Sequence, residues 1–132
     1  MVLPTPMRLR GHRCFDRLHR DGRRLNSTHM LLRIVDARPN LLRPFIASAE
    51  NASPQSRRCR CGVVISSKVS KRSVVRNRLH RQLHSHLRKR LETKPELGRH
   101  WLLLSIKPGA VESGAPLLEE CDRLLTDAGL LP

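Results

Sequence analysis

The chain has 132 residues, and its 26 lysines and arginines against 11 acidic residues give a formal net charge of +15 at pH 7. This length predicts a single domain, residues 1–132. The charge predicts a polyanionic partner, because unscreened self-repulsion would oppose folding. Four cysteines are too few for a disulfide scaffold, and neither a secretory signal nor a run long enough to span a bilayer is visible. We therefore expect a cytoplasmic protein without a membrane partner.

Apolar periodicity predicts the elements in chain order. Residues 13–21 predict a short helix, and residues 28–35 predict a strand with Met30, Leu32 and Ile34 on one face. Residues 36–58 contain several prolines and predict a long loop or insertion, which could extend a strand near residues 45–47. Further elements are a strand at 61–66, a basic turn at 67–71, a helix at 73–91, a strand at 101–106 and a helix at 116–128. This order predicts an α+β sandwich, with helices over one small sheet.

The central helix carries the most informative pattern, SVVRNRLHRQLHS at residues 73–85, with Ser70 or Ser73 as its expected N-cap. Residues 51–91 hold twelve lysines or arginines and no acidic residue. At 100° per residue, an apolar arc runs through Val75, Leu79, Leu83 and Leu87, while Asn77, Arg81, His84 and Arg88 project from the opposite side. Guanidinium groups match phosphate oxygens with a planar fork, so this helix predicts contact with nucleic acid.

Other chemistry finds less support in the residues. Cys59 and Cys61 could form half of a zinc site, but no second pair with suitable spacing follows them, and buried thiols are the expected alternative. No histidine lies in a motif that fixes a partner carboxylate, which argues against a protein-only nuclease. One Trp, two Phe and no Tyr favour recognition of backbone and shape over base stacking. A structural ribosomal protein and a DNA-binding regulator remain as alternatives, although no helix-turn-helix spacing is present.

Three stretches in this order and spacing resemble the protein subunit family of bacterial ribonuclease P: CGVVISSK at 61–68, KRS at 71–73 and RNRLHR at 76–81. Arg8, Leu9, Phe15 and Gly22 resemble the family's N-terminal segment, and WLLLSIKP at 101–108 resembles its last strand and turn. The resemblance covers nearly the whole chain except residues 36–58, which are longer than the usual connection. It implies an α-β-β-β-α-β-α fold with a small mixed sheet, in which the basic helix forms a left-handed crossover between parallel strands.

The resemblance also implies a function. Such a subunit binds a catalytic RNA and the 5′ leader of precursor tRNA, and the RNA cleaves the leader with magnesium that the RNA mainly binds. No catalytic residue, protein-bound metal or DNA partner is then expected in the chain. The positions that match the family's RNA-binding residues are Lys68, Arg72, Arg76, Asn77, Arg78, His80, Arg81 and His84. Those expected to line a leader-binding cleft are Phe15, His19, Met30 and Arg33.

The chain departs from the family pattern at several of these positions. The family usually has alanine at Ser73 and basic residues at His80 and His84. Neutral imidazoles at both positions would remove up to two positive charges at pH 7 and weaken salt-sensitive binding. His19, Met30 and Arg33 stand where aromatic residues are common, so Arg33 is expected to pair with a leader phosphate instead of stacking on a base.

Overall fold

The structure is a computed structural model that describes residues 3, 7–9, 11–42, 44–52, 58–112, 114 and 116–131. Its helices are α1 (His12–Asp21), α2 (Pro44–Ala52), α3 (Ser73–Leu91) and α4 (Leu117–Asp127). Its strands are β1 (Arg23–Asn26), β2 (Met30–Asp36), β3 (Arg60–Val64) and β4 (His100–Ile106). Short 3-10 turns at Pro39–Leu41 and Pro95–Arg99 precede α2 and β4. No helix among the described residues has the length and apolarity needed to cross a membrane.

The four strands form one mixed sheet in the order β1-β2-β4-β3. β2 pairs antiparallel with both β1 and β4, whereas β3 pairs parallel with β4. Helix α3 connects these two parallel neighbours, so the basic helix forms the expected β-α-β crossover. Its left-handed sense stays a prediction from the resemblance. The α+β fold class with a small mixed sheet is confirmed.

The two faces of the sheet are covered by different helices. On one face, Leu32 and Leu104 pack with Leu83 and Leu87 of α3 and with Leu124 of α4. On the other face, Leu103 and Trp101 pack with α1 and α2 in a separate cluster that includes Cys14, Leu18, Val35 and Ala47. The alternation of side chains along each strand produces this division. The basic helix is therefore held by its apolar arc, which leaves its other side available to a ligand.

The N-terminal segment adds to the outer edge of β3. Arg8 pairs with Cys61 as an isolated parallel bridge, and the Leu9 N–H donates to the Cys61 carbonyl at 3.0 Å. The Arg60 guanidinium donates to the Arg8 carbonyl at 2.7 Å. Leu3, like Met7 and Leu9, is buried in the core. Arg8 and Leu9 thus lie along the edge strand.

Two predictions from the residues alone are corrected by the fold. Residues 36–58 do not form a long loop: α2 occupies Pro44–Ala52, and the proposed strand extension near 45–47 is helical. Proline suits this helix at its first position, because a first-turn residue needs no N–H for the helical ladder. Residues 43 and 53–57 of the predicted insertion lie outside the described residues.

The start of α3 differs from the prediction in one detail. The helix begins at Ser73 as expected, but Arg72 occupies the N-cap position and makes no side-chain capping bond. Ser70 instead accepts a hydrogen bond from the Arg72 N–H through its hydroxyl oxygen at 3.2 Å, which orders the turn before the helix. Neither Ser70 nor Ser73 is therefore the cap.

Candidate nucleic-acid interface

The outward side of α3 and the turn before it form a cationic surface, which we call the α3 face. Its exposed members are Lys68, Arg72, Asn77, Arg78 and Arg81. Within the described part of the chain, none of these side chains forms an ion pair. Exposed cations without acidic partners attract a polyanion more strongly than a surface of mixed sign would.

Acidic partners occur only toward the other end of α3 in the described residues. Arg88 pairs with Glu92 at 2.5 Å, and Arg90 pairs with Asp122 of α4 at 2.9 Å. Arg88, which the helical projection placed on the outward side, is half-buried and already partnered. The α3 face therefore carries its free charge at the N-terminal half of the helix.

Arg76 has a different position from the other arginines of the helix. Its side chain is half-buried, and its Nη1 donates to the Ser70 carbonyl at 2.7 Å. This contact ties the helix to the preceding turn. The half-buried guanidinium of Arg76 therefore holds the basic turn in place.

His80 and His84 lie half-buried along one side of α3, with ring centroids 5.5 Å apart and planes inclined by 56°. Burial and the nearby Arg76 lower the pKa of His80. Burial, His80 and Arg8 lower the pKa of His84. Both imidazoles are therefore mainly neutral at pH 7, so they contribute little net charge to the α3 face.

The other sequence-predicted surface, a cleft between α1 and the sheet, is built around Phe15. Gly62 of β3 has no side chain, and a Cβ added there would lie 3.0 Å from Phe15 Cε1 and 3.2 Å from Leu103 Cδ1. The Phe15 ring therefore lies on β3 and β4. A strand glycine, as in CGVV, is the sequence signal for such a close approach.

Arg33 lies in the same row of the sheet as Gly62, two strands away. It is the Cα partner of Leu103, which is itself the partner of Gly62. Arg33 Nε is buried and has no hydrogen-bond partner in the described structure. Burial and the neighbouring Arg24 lower the pKa of this guanidinium. A buried N–H donor without an acceptor is suited to an anionic ligand.

The remaining two cleft residues have different outcomes. His19 is exposed on α1, one turn after Phe15 and on the same side of the helix. Met30 is fully buried on the opposite face of the sheet, in the cluster that contains Leu32 and Leu83. Met30 therefore cannot line the cleft with Phe15, and its prediction is corrected. We use the name α1 cleft for Phe15, His19, Arg33 and Gly62.

The cysteines are core residues. All four are buried, as expected for structural thiols. The Cys61 thiol donates to the Cys59 carbonyl at 3.7 Å, and this contact together with burial raises the pKa of Cys61. Burial raises the pKa of Cys121 to about 12. These protonated thiols pack in the core.

Comparison with known proteins decides the family. The family model described as Ribonuclease P matches residues 3–129 of the chain. The chain belongs to the ribonuclease P protein family. Its relatives include the ribonuclease P protein components of Prochlorococcus marinus strain MIT 9303, which is 58% identical over 99% of both chains, and of Parasynechococcus marenigrum strain WH8102, 55% identical over 98% of both. That of Synechococcus sp. strain WH7803 is 55% identical over 100% of both chains.

Membership in the ribonuclease P family assigns the chain to a protein subunit with a role in processing of the tRNA 5′ end. It favours this role over the ribosomal protein and the DNA-binding regulator. The alignment with the Prochlorococcus protein is 133 positions long and covers 99% of both chains, so residues 36–58 have counterparts there. Relative to this ribonuclease P protein, the segment that contains α2 is not an insertion.

Proposed function

We propose that the protein binds the RNA subunit of ribonuclease P through the α3 face and the 5′ leader of precursor tRNA through the α1 cleft. The observation that supports the proposal is that two groups of residues suited to nucleic acid lie on opposite faces of one small sheet. Cations without acidic partners lie on α3, while Phe15 and the unpartnered Arg33 Nε belong to the opposite face. A leader in the cleft and an RNA on the helix can then be bound together.

The two surfaces suit their proposed ligands for different reasons. On the α3 face, Arg78 and Arg81 can neutralise phosphates of a structured RNA without reading its bases. In the α1 cleft, a single strand can place a base on Phe15 and a phosphate near Arg33. Binding both ligands would align the cleavage site of the substrate with the RNA subunit and would screen the repulsion between two polyanions.

The bond cleavage is proposed to belong to the RNA subunit, with magnesium bound mainly there. Among the described residues of the protein, no three His, Cys, Asp or Glu side chains come together in a way that could hold a metal ion. The residues present therefore do not fit a protein-bound magnesium site, and no step is assigned to one. The protein is proposed to act in the cytoplasm, where precursor tRNA is processed.

Reconstitution with the RNA subunit tests this proposal. The protein should accelerate cleavage of precursor tRNA at low magnesium and moderate salt, and it should cleave nothing by itself. Arg81→Ala should weaken binding of the RNA subunit, because it removes an exposed cation of the α3 face. Arg33→Met should weaken binding of precursor tRNA but not of leaderless tRNA. Arg123→Ala, an exposed arginine of α4, is the charge-matched control and should do neither.

Two results would contradict the proposal. Cleavage of precursor tRNA by the RNA-free protein would show that the chemistry belongs to the chain. Equal losses with Arg81→Ala and Arg123→Ala would show that the α3 face has no special role and that total charge alone determines RNA binding.

A further inference from the structure

We propose that Arg76 is a positioning residue: it holds the turn before α3 so that Lys71 and Arg72 can meet phosphates of the RNA subunit, and it is not itself a phosphate contact. The proposal rests on the proposed function and deepens it, because it separates the arginine that shapes the RNA-binding surface from those that bind RNA. In the sequence, Arg76 belongs to the same cluster as Arg78 and Arg81. The structure gives it a different role.

Arg76 projects from a different side of α3 than the exposed arginines. At about 100° per residue, its side chain leaves the helix about 160° from that of Arg78 and about 140° from that of Arg81. It falls instead between Leu83 and Leu87, which are buried in the core. Its side chain is accordingly half-buried, whereas Arg78 and Arg81 are exposed. A phosphate that meets the exposed pair therefore lies on the far side of the helix from the base of the Arg76 side chain.

The guanidinium of Arg76 is anchored to the turn. Its Nη1 donates to the Ser70 carbonyl at 2.7 Å, and its backbone N–H donates to the Arg72 carbonyl at 3.2 Å. One residue thus binds both ends of the segment 70–72. A hydrogen bond from a charged donor is roughly twice as strong as a neutral one, and partial burial strengthens it further. The conformation of this segment therefore depends on Arg76.

Two cations lie on the segment that Arg76 anchors. Lys71 and Arg72 are exposed, and in the described part of the chain neither forms an ion pair. Lys68, which precedes them in the turn, is held differently, because the next residue, Val69, is buried in the core. Arg76 should therefore control the positions of Lys71 and Arg72 but not that of Lys68.

The salt dependence of RNA binding separates positioning from contact. Each cation that meets a phosphate contributes about 1 to the slope of log affinity against log salt concentration. Arg78→Met should therefore lower this slope by about 1. Arg76→Met removes the same charge, yet it should lower the slope by about 2, because Lys71 and Arg72 both lose their positions. Filter binding of the RNA subunit over a salt series measures the slopes, and urea unfolding verifies that each variant is folded.

A mutant cycle identifies the cations that depend on Arg76. The affinity for the RNA subunit is measured for Arg76→Met, for Lys71→Met/Arg72→Met and for their combination. The combination should bind within about twofold of the Lys71→Met/Arg72→Met variant, because loss of the anchor acts only through those two cations. Combining Arg76→Met with Lys68→Met is the matched control. Since Val69 anchors Lys68 separately, these two losses should add.

The free protein provides a readout that needs no RNA. Trypsin cleaves after lysine and arginine where the backbone is exposed and flexible. Arg76→Met should speed cleavage after Lys71 and Arg72 several-fold and should leave cleavage after Lys68 unchanged. Arg78→Met should change neither rate. Mass spectrometry of the first fragments identifies the cleaved bonds.

Two results would overturn the proposal. If Arg76→Met lowers the salt slope by only about 1 and its loss adds to that of Lys71→Met/Arg72→Met, Arg76 itself contacts a phosphate. If Arg76→Met leaves trypsin cleavage after Lys71 and Arg72 unchanged, the segment does not depend on Arg76. Failure of the proposed function has a different signature. Neither Arg78→Met nor Lys71→Met/Arg72→Met would then weaken RNA binding, while the trypsin result would stay as expected.

Discussion

At the residue scale, His80 and His84 show how burial limits the positive charge of a helix whose sequence is rich in basic residues. Both rings are half-buried, and burial is the main reason that the pKa of each is lowered. Arg76 and Arg8 act in the same direction, since a nearby positive charge opposes protonation. If His80 and His84 were counted as cations, the positive charge of this helix at neutral pH would therefore be overestimated.

The lowered pKa of these two histidines determines the direction in which stability changes with pH. The unfolded chain takes up protons near the ordinary histidine pKa of about 6.5, before the folded protein does. The free energy of unfolding should therefore fall as pH drops from about 6.5 toward the lower folded values. The double variant His80→Gln/His84→Gln should lose less stability over this range. Urea unfolding at a series of pH values measures the difference, and parallel curves for the two proteins would contradict the prediction.

Single residues also show the limit of pattern reading. The alternation of β2 correctly predicted that Met30, Leu32 and Ile34 share a face, but not which helices cover that face. Met30 was assigned to the α1 cleft from the resemblance, whereas α3 and α4 bury its face of the sheet. The cleft contribution of Gly62 depends on a contact with Phe15, 47 residues earlier in the chain. Such contacts follow from the fold and not from local spacing.

At the scale of elements, α4 is held in place by two histidine–carboxylate contacts. Asp122 accepts from His86 of α3 at 2.7 Å, and it also accepts from Arg90 at 2.9 Å. Glu120, which is buried, lies 3.2 Å from His29 Nδ1 and also accepts from the His29 backbone N–H. These contacts fix α4 to the basic helix on one side and to the β1–β2 turn on the other.

We expect Asp122→Ala to destabilise the protein by about 1–3 kcal/mol, because it leaves the half-buried His86 without its acceptor and frees Arg90. Asp127→Ala removes an exposed aspartate from the last residue of the same helix and is the control. Its cost should stay within about 0.5 kcal/mol. Chemical denaturation measures both values. Equal costs would show that the contacts of Asp122 contribute nothing beyond helix charge.

The elements also differ in how well the sequence predicted them. The bounds of α3 were predicted to the residue, because leucines and arginines repeat with helical period over five turns. In contrast, β1 was missed: its sequence RRLN is mostly exposed, and only pairing with β2 makes it a strand. Helix α2 was missed because its one proline, the prolines on either side of it and its small residues resemble a loop, while its burial depends on Trp101 and Cys14 far away in sequence.

At the scale of the whole molecule, the net charge of +15 has opposite effects on folding and on function. The charge favours association with RNA, but the same cations repel one another in the free protein. Most of the described acidic side chains that form ion pairs have partners outside the N-terminal half of α3. They therefore do not relieve the repulsion between the cations of that half. The RNA subunit is then the main source of neutralisation.

Salt should therefore have opposite effects on stability and on binding. Raising it should increase the melting temperature of the free protein, because screening reduces internal repulsion. The affinity for the RNA subunit should fall by roughly 10³-fold or more between about 50 and 200 mM salt if six or more phosphates are contacted. Thermal melts and filter binding over one salt series test both effects. A melting temperature that falls with salt would show that attractive charge pairs dominate the free protein.

The edges of the sheet have a consequence for self-association. An open strand edge is a template on which a second chain can add, and it is a common start of aggregation. Here the β1 edge presents exposed Arg23 and Arg24, whose charge opposes such pairing, and the N-terminal segment covers β3 at Cys61. Beyond that bridge, the edge at Val63 opens into a cavity of about 350 Å³ that Phe15 and His84 also line. A ligand in this cavity would close the stretch of edge at which another copy could add.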